Sequence, residues 1–230
     1  MSVSPSATTL SERLRQSVLP LWQRQVEHPF VAALGNGTLP RENFEFYIRQ
    51  DALFLDVLTK TFAYASTRTN DPDEMKQFGQ YLLDTLQVEK ELHQHYARRF
   101  GITLQQMAEA SMAPTNYAYT RHMLAIASTG TLPEIITVML PCAWIYAEVG
   151  QYFNRTTPPS ADHPYADWLA TYASPDFDAV EIWLRARLDK QSTNLTAQQE
   201  QRLFDIFRIS TCYEWMFWEM AWQREQWPSY

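Results

Sequence analysis

Apolar residues recur at three- and four-residue spacing along most of this chain, which is the period of one face of an α-helix. Only six glycines interrupt 230 residues, so long helices can form without a break. Hydrophobic residues make up 46% and aromatic residues 14% of the chain, enough apolar surface for one large core. The sequence therefore predicts an all-α fold in a single domain over residues 1–230, whose first nine residues are flexible.

Caps, prolines and glycines mark where the helices begin and end. They predict helices over residues 40–69, 71–100, 117–128, 131–154, 162–172, 175–190 and 196–226, with a short segment between 101 and 111. Thr38 is expected to cap the first of these helices. Pro141 lies inside the fourth, and because proline lacks an N–H we expect a kink or shift near Thr137. Short connections favour a compact bundle with a pocket between its helices.

The charge and cysteine content exclude several classes of function. A formal net charge of −7 gives no basic surface of the kind that binds a nucleic-acid backbone. Residues 1–9 lack the basic start and apolar run of a secretory signal, and no stretch of membrane-spanning length is free of charge. We therefore expect a cytoplasmic protein that binds neither nucleic acid nor membranes. Its two cysteines, Cys142 and Cys212, should be thiols there.

Asp51 is a carboxylate on an apolar helix face, because its neighbours at three and four positions are Tyr47, Ile48, Phe54 and Leu55. Burying an isolated carboxylate costs roughly several kcal/mol unless it is paired, hydrogen-bonded or protonated. Such a residue is either a structural Asp bonded to a tyrosine or an amide, or a carboxylate that recognises a ligand. The residue pattern leaves both interpretations open.

Cys142 also lies among apolar residues at helical spacing, including Val138, Ile145 and Tyr146. A free cysteine in such surroundings is either small core filler or a nucleophile. The thiol becomes nucleophilic only when a neighbouring basic group or positive potential allows its proton to leave. An acid or base beside Cys142 would therefore favour the catalytic interpretation.

The last predicted helix carries Glu214 on a strongly aromatic face, with Phe217 and Trp218 three and four residues further on. These rings should desolvate the carboxyl group and raise its pKa into the range useful for general acid–base catalysis. Glu219 lies on a different face of the same helix. Cys212 does not share a face with Glu214 and is the better candidate for core filler.

Two further polar features need an interpretation. Glu148 is expected to point inward as a structural residue. Glu89 and His93 stand four residues apart on one helix face, with Glu91 between them, as in bundles that bind two iron ions. The helices of Glu148 and Glu214 supply no histidine at matching spacing. We therefore predict no metal site and interpret His93 as a surface or supporting residue.

Several ordered blocks of the chain resemble one family. They read HPFV at 28–31, GNGTLP at 35–40, QD at 50–51, PTNYAYT at 114–120, LPCAW at 140–144, EVG at 148–150 and YEWMFW at 213–218. In order and spacing they resemble the TenA family of thiaminase II enzymes from about residue 20 to 225. The resemblance implies a heme-oxygenase-like helical fold, and its blocks contain Asp51, Cys142 and Glu214.

The reaction implied by this resemblance replaces an amine by water on the methylene group of a 4-amino-5-aminomethyl-2-methylpyrimidine, and of thiamin, for thiamin salvage. Thiol addition to the ring lets the ring expel the amine, so the resemblance implies that Cys142 is the nucleophile. Glu214 would be the catalytic acid and base, and Asp51 would bind the amino and ring-nitrogen edge of the pyrimidine.

The remaining implied pocket positions carry aromatic rings. They are Phe54, Tyr119, Tyr146 and Tyr172, for which core packing is the ordinary alternative. Phe54 stands where some relatives carry tyrosine, which keeps ring stacking and removes one hydroxyl. The thiol of Cys142 places the chain in the cysteine-bearing branch. The resemblance also implies a homotetramer without a metal or organic cofactor.

Two other functions remain open from the sequence. A metal-dependent helical oxidase of the same fold would use His93, Glu89 and Glu91 as ligands. A non-catalytic protein would bind an aminopyrimidine in the same pocket without releasing an amine. The metal content and the turnover of the purified protein distinguish these functions from hydrolysis.

Overall fold

The computed structural model describes residues 8–101, 110–160 and 162–229, with the backbone alone for 88–94, 97, 98 and 100. Within these residues every regular element is a helix, as predicted. The elements are α1 (Leu10–Ser17), α2 (Leu19–Glu27), α3 (Pro29–Gly35), α4 (Arg41–Ser66), α5 (Pro72–Phe100), α6 (Pro114–Thr129), α7 (Leu132–Thr156), α8 (Ala166–Tyr172), α9 (Pro175–Gln191), a 3₁₀ turn (Ser192–Asn194) and α10 (Ala197–Gln223). The predicted flexible start, apart from Thr8 and Thr9, and nearly all of the short segment after Gly101 lie outside the described residues.

Local hydrogen bonds explain where most helices begin. Thr131 and Glu134 form a capping box at the start of α7, where the Thr131 N–H donates to Glu134 Oε2 at 2.7 Å. The expected cap at Thr38 is wrong. Pro40 occupies the cap position of α4, and the Thr38 hydroxyl instead donates to Asn36 Oδ1 at 2.7 Å, within the turn that contains Gly37.

Four predicted boundaries are displaced by three or more residues. Helix α4 ends at Ser66 rather than near residue 69, and α6 begins at Pro114 rather than at residue 117. The other two have local reasons. Helix α8 begins at Ala166 rather than near residue 162, because His163 Nδ1 accepts the Tyr165 N–H at 3.1 Å and holds the preceding residues in a turn. Helix α10 ends at Gln223 rather than near residue 226. Arg224 adopts a left-handed backbone conformation, with φ at 50°, which ends the helical path.

Helix α7 is the central element of the bundle. It packs against α4, α6, α8, α9 and α10, and its buried residues extend along its whole length. It is long and apolar enough to meet the criteria for a membrane span, but 78% of its most apolar window is buried inside the protein, as expected for a core helix. Pro141 lies within α7 without ending it, so the irregularity expected near Thr137 does not interrupt the helix.

Helices α4 and α5 form an antiparallel hairpin, because only residues 67–71 connect them. Their register is visible in the contact between the rings of Phe62 and Tyr81, whose centroids are 5.8 Å apart. Glu74, near the start of α5, forms a buried ion pair with Arg187 of α9 and accepts a hydrogen bond from Thr69 at 2.9 Å. This ion pair anchors the hairpin to α9. A cavity remains between the hairpin and α9 on the side lined by α4.

Gly150 allows α7 to approach the end of α8 closely. A Cβ atom at this position would lie 2.4 Å from the carbonyl carbon of Tyr172 and 2.6 Å from the backbone nitrogen of Ala173. These neighbours are backbone atoms and cannot move aside as a flexible side chain does. The glycine therefore fixes where Tyr172 sits relative to α7.

We predict that Gly150→Ala lowers the free energy of unfolding by about 1–3 kcal/mol, as overpacking in a filled core does. Gly79→Ala is the matched control, because a Cβ atom there meets nothing within 4 Å. Gly79 lies inside helix α5, so alanine should stabilise the protein by about 0.4–1 kcal/mol. Urea unfolding of both variants measures the difference. Equal effects of the two substitutions would contradict the close approach at Gly150.

Candidate functional site

A cavity of about 140 Å³ lies between α4, α5, α7, α8 and α9. Its wall is mainly apolar. The polar or titratable groups that line it are Asp51, Tyr81, Asp84, Thr85, Cys142, Tyr146, Thr171 and Tyr172. Five of the residues selected from the sequence, namely Asp51, Phe54, Cys142, Tyr146 and Tyr172, meet on this wall. The structure thus brings together residues that are up to 121 positions apart in the chain.

Asp51 is 3% exposed, which confirms the prediction that it points inward. The preceding residue helps to hold it in place. Asn116 donates to the Gln50 carbonyl at 2.8 Å, and Gln50 Oε1 accepts the Ala113 N–H at 2.9 Å. These buried bonds fix α4 against the start of α6, one turn before Tyr119. They therefore set the position of Asp51 relative to Tyr119.

Glu214 and Tyr119 lie beside the cavity rather than on its wall, since the Tyr119 ring contacts the ring of Phe54, which lines it. Glu214 is 2% exposed, and its Oε1 accepts a hydrogen bond from the buried Tyr119 hydroxyl. Burial raises the pKa of Glu214 to about 8, with the negative charge of Asp51 adding to the shift and the Tyr119 bond opposing it. Glu214 is therefore a protonated carboxylic acid at neutral pH, in agreement with the direction expected from its aromatic face.

Cys142 faces the cavity from α7. Burial raises the pKa of its thiol well above the ordinary value, and the negative charges of Glu214 and Asp51 raise it further. The resting residue is accordingly a thiol, whose proton must be removed as its sulfur attacks. The two carboxyl groups that affect its pKa are the neighbouring acid and base that the catalytic interpretation requires. Cys212 does not line the cavity.

Two buried tyrosine hydroxyls are hydrogen-bonded to each other near Asp51, and the ring of Tyr172 packs against the ring of one of these tyrosines. The Tyr47 hydroxyl receives a hydrogen bond from Trp168 Nε1 and donates to the Tyr146 hydroxyl, each at 3.3 Å. Burial raises the pKa of Tyr47, Tyr146 and Tyr172 well above the ordinary value, and the charge of Asp51 contributes in each case. These phenols stay neutral and able to donate hydrogen bonds. Sequence reasoning missed Tyr47 as a site residue, although it precedes Asp51 by one turn on the same face.

Phe54 supplies an aromatic surface between the cavity and the acid. Its ring centroid lies 5.1 Å from that of Tyr119 and 5.7 Å from that of Phe217. Tyr119 in turn stacks on Tyr213, with centroids 5.1 Å apart and planes 10° from parallel. This arrangement buries Glu214 among aromatic rings and leaves Phe54 on the cavity wall, where a planar ligand can contact it.

Glu148 is outside this site, and the expectation that it points inward is wrong. Its carboxylate is partly exposed, pairs with Arg15 at 2.9 Å and accepts a hydrogen bond from Trp22 Nε1 at 2.8 Å. Helical spacing placed it beside apolar residues, but that face of α7 packs against α1 and α2, where Arg15 compensates the charge. The interpretation of Glu148 as a structural residue agrees with these contacts.

The described residues contain no group of three or more metal-ligating side chains that could hold an ion. The side chains of Glu89, Glu91 and His93 lie outside the described residues, so the prediction about them stays a prediction. The site is instead suited to proton transfer, since a thiol, a protonated carboxyl group and a second carboxyl group meet beside an apolar cavity. Aromatic rings and phenol hydroxyls around them fit a flat, nitrogen-containing ring.

Comparisons with known proteins show which family the chain belongs to. The model of the TENA/THI-4/PQQC family matches residues 15–224. The aminopyrimidine aminohydrolase of Halalkalibacterium halodurans is 35% identical over 93% of this chain and 96% of its own length. The structure of a TenA homologue from P. horikoshii OT3 aligns with a TM-score of 0.85 at 32% identity, covering 94% of this chain and 99% of that one.

A more distant structure confirms the predicted heme-oxygenase-like fold. Heme oxygenase-1 from the cyanobacterium Synechocystis aligns with a TM-score of 0.67 over 94% of both chains, at only 13% identity. That similarity concerns the fold alone. The family match extends over nearly the whole chain and agrees with the ordered sequence blocks, so this protein belongs to the TENA/THI-4/PQQC family.

Proposed function

We propose that this protein is an aminopyrimidine aminohydrolase of thiamin salvage, a hydrolase that acts on a carbon–nitrogen bond. It replaces the amine on the methylene group of 4-amino-5-aminomethyl-2-methylpyrimidine, or of thiamin, by water. The observation that carries the proposal is that Cys142 and Asp51 line one apolar cavity, while Glu214, buried beside it, is close enough for its charge to affect the thiol. The names of similar proteins support the same reaction, including a relative from Helicobacter pylori that is 34% identical and named aminopyrimidine aminohydrolase.

The substrate ring binds between aromatic side chains with its polar edge toward Asp51. One oxygen of the Asp51 carboxyl group accepts a hydrogen bond from the 4-amino group, and a proton shared with the neighbouring ring nitrogen joins that nitrogen to the other oxygen. Tyr146 and Tyr172 line the same end of the cavity and offer neutral hydroxyl groups, while Phe54 covers a ring face. The arrangement presents the ring carbon next to the methylene-bearing carbon to the sulfur of Cys142.

The first chemical step adds the thiol across a carbon–nitrogen double bond of the ring. The sulfur of Cys142 forms a bond to the ring carbon, and the ring nitrogen receives the proton of Glu214. The resulting Glu214 carboxylate takes up the thiol proton, so charge is conserved. Since burial makes both groups neutral at rest, this relay avoids a free thiolate in the apolar cavity.

The later steps exchange the amine for water. Addition has broken the aromaticity of the ring, so its electrons expel the amine and leave an exocyclic methylene group on the cysteine-bound ring. Glu214 supplies a proton to a neutral leaving amine, and its carboxylate then accepts a proton from water as the oxygen attacks the methylene carbon. Reversal of the first step releases Cys142 and the hydroxymethyl product. These steps use protein groups and water, without a metal or organic cofactor.

We also propose that the protein works in the cytoplasm as a homotetramer. Tyr117 and Trp227 are exposed, and their ring centroids lie 6.1 Å apart where α6 meets the end of α10. Met216 of α10 is exposed as well. Apolar residues of this kind favour burial against another copy of the chain. Light scattering of the purified protein should give four times the mass of the chain, and a monomer would contradict this part of the proposal.

Turnover by the purified protein tests the proposed reaction directly. Wild-type protein should release ammonia from the aminomethylpyrimidine and the thiazole from thiamin, giving the hydroxymethylpyrimidine in both cases. Tight binding without release would favour a non-catalytic pyrimidine-binding protein. Stoichiometric iron with loss of activity on chelation would favour an oxidase.

We predict that Cys142→Ser reduces kcat to near the limit of detection while the protein remains folded. Oxygen nearly matches the size of sulfur but is a far weaker nucleophile at neutral pH. Cys212→Ser is the matched control, since Cys212 does not line the cavity, and it should keep most of the activity. Circular dichroism and steady-state rates on both variants provide the measurement. Similar rates for the two would show that the assignment of the thiols is wrong.

We predict that Glu214→Gln lowers kcat by about 10²–10⁴-fold while pyrimidine binding survives, since the amide cannot transfer a proton. The amide oxygen can still accept the Tyr119 hydrogen bond, and Gln resembles the protonated acid in shape. The thermal midpoint at neutral pH should therefore not fall. Near-normal turnover with a depressed midpoint would instead identify Glu214 as a structural residue.

The pH dependence of wild-type protein provides a second measurement on Glu214. Its pKa is raised to about 8, so kcat/KM should fall as the pH rises through about 8 and the acid loses its proton. The raised pKa also means that the folded state binds this proton more tightly than the unfolded state does. Its contribution to stability is complete below the ordinary glutamate pKa and is lost as the pH approaches 8. Glu214→Gln should remove that loss, so the stability of this variant relative to wild-type should rise as the pH increases toward 8.

A further inference from the structure

The cavity extends well beyond the groups that carry out the chemistry. On α4 it is lined from Asp51 to Phe62, eleven residues apart, which corresponds to about 16 Å along the helix axis. Cys142 and Tyr146 lie near the Asp51 end, since the charge of Asp51 affects both. A single pyrimidine ring at that end leaves the Phe62 end of the cavity for the group attached through the methylene carbon.

The register of the α4–α5 hairpin places Asp84 in this distal half. Phe62 and Tyr81 are in ring contact, and the two helices run in opposite directions. Asp84, three residues after Tyr81, therefore lies at about the level of Leu58. Leu58 is seven residues from Asp51, so Asp84 is displaced from Asp51 by about 10 Å along α4.

The distal half has the chemistry of a site for a flat cation. Phe62, Tyr81 and Phe177 present aromatic rings, and Asp84, which is also exposed to solvent, is a carboxylate on the same wall. Asp84 Oδ1 accepts a hydrogen bond from the neutral amide of Gln80 at 2.7 Å, which leaves the negative charge in place. Among the described residues that line the cavity, none is a lysine, arginine or histidine.

We propose that Asp84, together with the rings of Phe62 and Tyr81, forms a leaving-group subsite that selects positively charged leaving groups. This inference rests on the proposed function and assigns a specificity-determining residue to the same cavity. A thiazolium ring is flat and cationic, so it gains a charge interaction with Asp84 and cation–π contacts with the rings. An acylated, neutral leaving nitrogen on the same pyrimidine gains neither.

Binding of two ligands that share the pyrimidine tests the subsite. Calorimetry on Cys142→Ser protein, which should not consume its ligand, compares thiamin with the N-acetyl derivative of the aminomethylpyrimidine. Asp84→Asn is introduced into this protein to remove the charge at nearly constant shape. Asp56→Asn is the matched control, because Asp56 is exposed on α4, pairs with Lys60 and does not line the cavity. It changes the net charge of the protein by the same amount.

Asp84→Asn should weaken thiamin binding by about 3- to 10-fold, as loss of a partly screened charge interaction does, and should leave the neutral ligand within about twofold. Added salt should reduce the difference for thiamin. Asp84→Glu should retain the preference for thiamin. An equal loss for both ligands, no loss for either, or the same selectivity change in Asp56→Asn would overturn the inference.

The outcome is separable from that of the proposed function. Binding does not require turnover, so a wild-type protein that releases no amine would overturn the hydrolase proposal while the Asp84 comparison still gives its own result. Conversely, an active wild-type enzyme with an unselective Asp84→Asn variant would overturn the subsite alone. In active protein, the same substitution should lower kcat/KM for thiamin more than for the acetylated substrate.

Discussion

The burial of the Glu214 carboxyl group is the constraint on which the site depends. In water this group is ionised at neutral pH, but inside the bundle the ionised form loses its hydration, and burial is the largest cause of its raised pKa. The Tyr119 hydroxyl opposes the shift by donating to the same carboxyl group. Its pKa of about 8 is the balance between these effects and the charge of Asp51. A proton is thereby stored next to an apolar cavity at neutral pH.

Desolvation also raises the pKa of the Cys142 thiol. A lone buried thiol with a raised pKa would be inert, which is why its surroundings alone are compatible with core filler. The difference lies in its neighbours, since in the proposed reaction Glu214, whose charge disfavours a free thiolate, also takes up the thiol proton during attack. The raised pKa values of Cys142 and Glu214 therefore belong together. In the proposed reaction Glu214 gives its proton to the ring and receives the thiol proton, so neither residue carries a lasting charge.

Helical periodicity was sufficient to predict the all-α fold and the burial of Asp51 and Glu214, because the face of a helix follows directly from spacing. It failed for Glu148, since spacing shows that a residue lies on an apolar face without showing that Arg15 on another helix compensates its charge. It also could not identify Asp84, whose position in the cavity depends on the register between α4 and α5. That register is set by packing between distant rings, which no local pattern in the sequence displays.

The residues of the site lie on helices, so the distances between helices determine the distances between these residues. The close approach at Gly150 is an example. Cys142 and Tyr146 belong to α7, whereas Tyr172 ends α8, and a Cβ atom on Gly150 would meet the backbone of Tyr172 itself. The distance between the two helices therefore also sets the distance between Tyr172 and the thiol. A change that separated them would widen the cavity between Tyr172 and the thiol. The packing that stabilises the bundle therefore also sets the dimensions of the cavity in which the ligand would bind.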